Sequence, residues 1–135
     1  MRYALTALHH HHFQADGCIV FEGLINSQVA DALELGPIRD GWRTFDAVRK
    51  IACSRQLAEI TAELLRVPTL RLAFTERLEE LPSGSLEERS CIQGLLGALL
   101  INLQTHEVVV INPVFPLDQL PKSAYFLIAY ASERA

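Results

Sequence analysis

At 135 residues, half of them hydrophobic, the chain suits one domain whose core needs neither disulfides nor a structural metal. Twelve basic against sixteen acidic side chains give a net charge of −4, which argues against duplex binding, because neutralised phosphates supply most of that affinity. Disorder is excluded by the apolar content, and apolar runs such as Leu95 to Ile101 are too short to span a bilayer.

Met1-Arg2-Tyr3-Ala4-Leu5 has one basic residue and no long apolar stretch, so no signal peptide is expected. Thr6 to Asp16 reads as a helix, with Thr6 as N-cap and Gly17 placed to end it in a left-handed conformation. Cys18-Ile19-Val20-Phe21 is a β-prone run closed by Glu22-Gly23. Asn26-Ser27 caps a further helix carrying Val29, Ala30 and Leu33, and Gly36-Pro37 ends it. Residues 37–44 form a loop around Trp42. From Phe45 to Leu64 the apolar spacing is helical, with Ser54 as an N-cap that splits the stretch in two. Val67-Pro68 stops it, because a residue before proline is pushed out of the helical region.

Beyond Pro68 the pattern changes to alternation. Leu70, Leu72 and Phe74 suit a half-buried strand, which Leu78 to Leu81 either continues or pairs with. Pro82-Ser83-Gly84-Ser85 is a turn. Ser90 to Gly94, Gly97 to Leu103, Glu107 to Asn112 and Tyr125 to Ala131 are further strand candidates, with Gln104-Thr105-His106 a tight connection. The expectation is a single domain over 1–135, mainly helical over 1–68 with one strand near 18–21, and mainly β over 69–135. That segregation is an α+β signature.

His9-His10-His11-His12 lies inside the first helical pattern. Adjacent helical residues diverge by about 100°, so only His9 and His12 could share a metal ion, with Asp16 and Cys18 the nearest further ligands in sequence. His106 is the remaining weak metal candidate, and none of the three histidines makes a closed site. Cys91 and His106 have no third group to orient a nucleophile, so Cys18, Cys53 and Cys91 are expected to be buried, reduced thiols in a cytoplasmic protein. Glu76, Glu79, Glu80, Glu87 and Glu88, clustered around the turn, read as a solvated rim. No dinucleotide fingerprint, phosphate loop, nucleophile elbow or zinc-protease motif is present.

Phe13-Gln14-Ala15-Asp16-Gly17-Cys18-Ile19-Val20-Phe21-Glu22-Gly23-Leu24-Ile25 resembles the opening of Fe(II)/2-oxoglutarate-dependent oxygenases of the phytanoyl-CoA-hydroxylase type. Leu57-Ala58-Glu59-Ile60 through Arg66-Val67-Pro68-Thr69-Leu70-Arg71-Leu72 resembles that family's second helix entering its first core strand. The resemblance covers about half the chain and implies N-terminal helices packed on a double-stranded β-helix, jelly-roll-like core. It also implies Fe(II) and 2-oxoglutarate, held through a His-x-Asp (or Glu) pair and a later histidine. Here the matching positions are Ile92 and Gly94, and no His-x-Asp or His-x-Glu occurs in the chain. Residues 69–135 also fall short of the roughly 70 to 80 positions that eight strands and their turns need, so the barrel is expected to be trimmed.

The expected function is therefore a non-catalytic domain that binds a small ligand or a protein. No catalytic residue and no cofactor are expected, and neither are nucleic-acid or membrane partners. Strands that fail to close leave edges, which makes a homodimer a candidate partnership. The alternatives are an oxygenase whose non-standard metal site recruits His9, His12 or His106, and a metal-responsive regulator.

Overall fold

Capping residues set the ends of the helices in the first half of the chain. A computed structural model describes residues 5–34, 38–89 and 94–132. Helix α1 (Ala7–Asp16) starts at a capping box in which Thr6 Oγ1 accepts from the His9 amide and His9 Nδ1 accepts from the Thr6 amide. It stops at Gly17, whose φ of 77° is left-handed. A Cβ there would also lie 2.7 Å from the Asn112 side-chain nitrogen and would have to displace that carboxamide. Strand β1 (Cys18–Phe21) follows directly. Asn26 Oδ1 then accepts from the Val29 amide at 2.9 Å to open α2 (Ser27–Glu34).

A 3₁₀ turn at Gly41–Arg43 leads into α3 (Asp46–Ala52), and Arg49 ties the two by donating to the carbonyls of Trp42 and Arg43. Ser54 splits the helical stretch as its chemistry requires: its hydroxyl caps α4 (Arg55–Leu65) through the Leu57 amide. Arg66, left-handed at φ 59°, ends α4 just ahead of Val67-Pro68.

The second half supplies β2 (Arg71–Leu78), a short α5 (Leu86–Arg89), β3 (Leu95–Asn102), β4 (Val108–Ile111), a 3₁₀ turn at Leu117–Gln119 and β5 (Tyr125–Ala131). Together with β1 the strands form one antiparallel sheet in the order β1-β4-β3-β5-β2. The fold is α+β. No helix among the described residues is long and apolar enough to cross a membrane.

Both faces of the sheet are covered, which is why β3, β4 and β5 read as nearly unbroken apolar runs rather than alternating ones. Leu99, Ile101, Val110 and Ile128 pack against Phe13, Leu33, Val48 and Leu64 of the four larger helices. Ala98, Leu100, Val109, Ile111 and Leu127 pack on the other face against Leu86, Phe115, Leu117 and Leu120. Gly97 lets α4 settle close to β3: a Cβ there would meet the Ile111 carbonyl at 2.7 Å and Leu65 at 3.1 Å.

Several expectations are corrected. Leu78 closes β2, and residues 79–80 bend away rather than extend it. Of the strand expected over Ser90 to Gly94, residues 90–93 lie outside the described residues, and Gly94 stands in a turn with φ 73°. Helix α5 and the 3₁₀ turn at Leu117–Gln119 carried no periodic signal, being a single turn each. The thiols are not uniformly buried either. Cys53 is exposed because it is the C-cap of α3, and Cys18 is half-buried at the sheet margin, while Cys91 lies outside the described residues.

Candidate functional site

The turn between β3 and β4 is built around one carboxamide. Asn102, buried at the end of β3, accepts through Oδ1 from the Gln104 amide (2.9 Å), the Thr105 amide (3.0 Å) and the Ser123 hydroxyl (2.9 Å). Its own amide donates to the Glu107 carbonyl, and its carbonyl accepts from the His106 amide, which fixes His106 at a left-handed φ of 67°. Histidine, with Asn and Asp, is among the non-glycine residues enriched in that conformation.

This turn faces the β1–α2 connection. Between them lies an open pocket of about 580 Å³ lined by Glu22, Asn26, Ser27, Thr105, His106 and Glu107. A second hollow of about 560 Å³ shares Glu22 and Glu107 and continues over Val20, Val109, Pro121 and Tyr125. One mouth is polar and acidic; the other sets apolar side chains beside the same two carboxylates. Neither Glu22 nor Glu107 is in an ion pair among the described residues; the Glu107 carboxylate accepts from the Thr105 hydroxyl, at 3.1 Å. Tyr125 donates to the Pro121 carbonyl at 2.8 Å. Burial pushes its phenol up, an Asn102 side-chain hydrogen bond opposes that, and the Glu107 carboxylate adds to the rise. Two carboxylates with no ion-pair partner among the described residues, beside the apolar side chains of Val20, Val109 and Pro121, suit a ligand that combines a cationic group with a hydrocarbon one.

The structure separates the histidines singled out in the sequence. His9 is occupied in the capping box, and its ring stands edge-on to Phe21 with centroids 5.5 Å apart. His12 points outward, with Nε2 3.0 Å from Asp16 one turn on. His10 Nε2 lies 3.7 Å from Glu63 and links α1 to α4. His106 lines the polar pocket. No group of three or more His, Cys, Asp or Glu among the described residues is placed to hold a metal ion. The acidic rim is partly neutralised: Glu76 lies 3.6 Å from Arg39, Glu79 lies 3.3 Å from Arg77, and Glu88 accepts from Ser85.

Fe(II) of the kind the resemblance implies needs imidazole and carboxylate converging from neighbouring strands. No described strand carries a histidine. On the face away from the helices the polar side chains of β2, β3 and β5 are Glu76, held by Arg39, together with Asn102 and Tyr125, both already hydrogen-bonded. These residues do not fit iron, and the hydrocarbon packing around them does not fit a dicarboxylate cosubstrate.

Sequence reasoning missed Glu22, Asn102, Glu107 and Tyr125 as a group. Asn102 alone carried a local signal, an Asn ending an apolar run just before Gln104-Thr105-His106.

The fold has solved counterparts. CT296 from Chlamydia trachomatis superposes with a TM-score of 0.78 at 20% identity, over 98% of each chain. Its selenomethionine-labelled form gives 0.77 at 20% identity, over 98% of this chain and 99% of that one. At that identity the likeness establishes a shared fold along the whole chain and nothing about activity. No family model matches the chain, and no curated protein matches it significantly.

Proposed function

We propose that this protein is a non-catalytic binding domain on an oxygenase-like, trimmed jelly-roll frame, taking a small ligand or a protein at the Glu22–Glu107 mouth. The observation that carries the reading is the donor set: the strands that would have to seat iron present hydrocarbon and already-paired polar groups. Two features support the oxygenase-like frame. The order α1, Gly17, β1, α2 follows the resemblance over Phe13 to Ile25. Outside the main sheet, Ser85 and Pro116 form one isolated antiparallel bridge, the kind of pairing a jelly roll's smaller sheet would extend.

The test is turnover. Purified protein supplied with Fe(II), 2-oxoglutarate, ascorbate and oxygen is expected to form no succinate above a protein-free control. Stoichiometric succinate would overturn the reading in favour of the alternative, an oxygenase with a non-standard metal site at His9, His12 or His106.

A further inference from the structure

The sheet has two edges, and the described residues close only one. Along β2, the Asp40 amide donates to the Thr75 carbonyl (2.9 Å), the Arg77 amide donates to the Ile38 carbonyl (2.7 Å), and Asp40 Oδ1 accepts from the Thr75 amide (3.0 Å). Residues 38–40 thus strap that edge.

On β1 the register decides which backbone groups face outward. The Asn112 amide donates to the Gly17 carbonyl at 2.9 Å, one step beyond the Cys18–Ile111 pair. In an antiparallel ladder the bonded pairs alternate, so Ile19 and Phe21 bond to β4 while Cys18 and Val20 turn their N–H and C=O away from it. No described residue bonds to those groups, and β1 is the outermost of the described strands on that side. Beside them Val20 is 49% exposed, over the hollow formed with Val109, Pro121 and Tyr125.

We propose that the outer edge of β1 binds an extended segment of a partner protein as a sixth strand. Main-chain bonds to Cys18 and Val20 hold it, one apolar side chain enters the hollow beside Val20, and a lysine or arginine sits against Glu22 and Glu107. Charge selects this occupant over a second copy of the chain. Residues 13–27, which include β1, carry Asp16 and Glu22 and no lysine or arginine, so pairing β1 with itself brings like charges together.

The proposal rests on the reading of the chain as a binding domain. Succinate formation tests that reading, and a peptide titration tests this one, so either can fail alone. The probes are the heptapeptide Lys-Val-Lys-Val-Lys-Val-Lys and its counterpart with glutamate for each lysine. At low salt the lysine peptide is expected to bind at least about tenfold more tightly, with the gap narrowing as salt rises. Exchange of the Cys18 and Val20 amides should slow on binding, while that of Ile19 and Phe21 changes little. Glu22→Lys, at an exposed position, should keep the fold by circular dichroism and remove or reverse the charge preference. Equal affinity for the two peptides, absence of binding, or protection along β2 instead would overturn the proposal. So would concentration-dependent protection of Cys18 and Val20 without peptide, which would assign the edge to a second copy.

Discussion

Tyr125 and Tyr130 stand on opposite faces of β5, both buried, and their hydroxyls meet different surroundings. Tyr125 donates to the Pro121 carbonyl, whereas the Tyr130 hydroxyl, under the helices, has no hydrogen-bond partner among the described residues. A buried polar group left unpaired costs free energy that a matched apolar group avoids. Tyr130→Phe is therefore expected to be neutral or to stabilise by up to about 1 kcal/mol, and Tyr125→Phe to destabilise by about 1 kcal/mol, read from urea midpoints. The pH dependence has a definite sign. Burial raises the Tyr130 phenol far above its ordinary value of 10.0, with the nearby Cys53 thiolate adding to the rise. The unfolded chain loses that proton first, so the stability is complete below about pH 10 and falls as pH rises beyond it. Tyr130→Phe should flatten this alkaline fall; an unchanged slope would contradict the assignment.

At the scale of elements, the strap over β2 depends on Asp40. It holds a left-handed φ of 50°, a conformation that Asp and Asn tolerate and alanine resists, and its carboxylate accepts the Thr75 amide. Asp40→Ala should cost about 2 kcal/mol, one hydrogen bond plus backbone strain, while Asp40→Asn keeps most of both. Equal midpoints for the two variants in urea would show that the strap contributes nothing. In the sequence, Asp40 is one charge in a loop around Trp42, because its partner lies 35 residues further on. Helix α1, by contrast, was legible at both ends: Thr6 and Gly17 act on neighbours within one turn, where residue type alone fixes the hydrogen bond. The Ser54 break and the Val67-Pro68 stop were legible for the same reason.

For the whole molecule, one sheet serves two cores. Strands β3, β4 and β5 send alternate side chains into each, so neither apolar cluster can come apart without exposing the back of the other. Unfolding in urea should therefore be a single transition, with far-ultraviolet circular dichroism and Trp42 fluorescence coinciding. Two resolved steps would mean that the layer of Leu86, Phe115, Leu117 and Leu120 melts apart from the helices.

The α+β class, the helix caps at Thr6, Gly17, Asn26 and Ser54, and β4 and β5 to within a residue or so followed from the order of the residues, since capping, proline sterics and apolar runs act over a few positions. The helix end expected at Gly36-Pro37 lies outside the described residues. The sequence also determined that no strand could present the His-x-Asp pair an iron site of that kind needs. Only the tertiary structure decided the strand order, which edge is closed, and the meeting of Glu22, Glu107, Asn102 and Tyr125. Those outcomes depend on which apolar run lies beside which, and β3, β4 and β5 are too alike in side-chain chemistry for their order to name their neighbours.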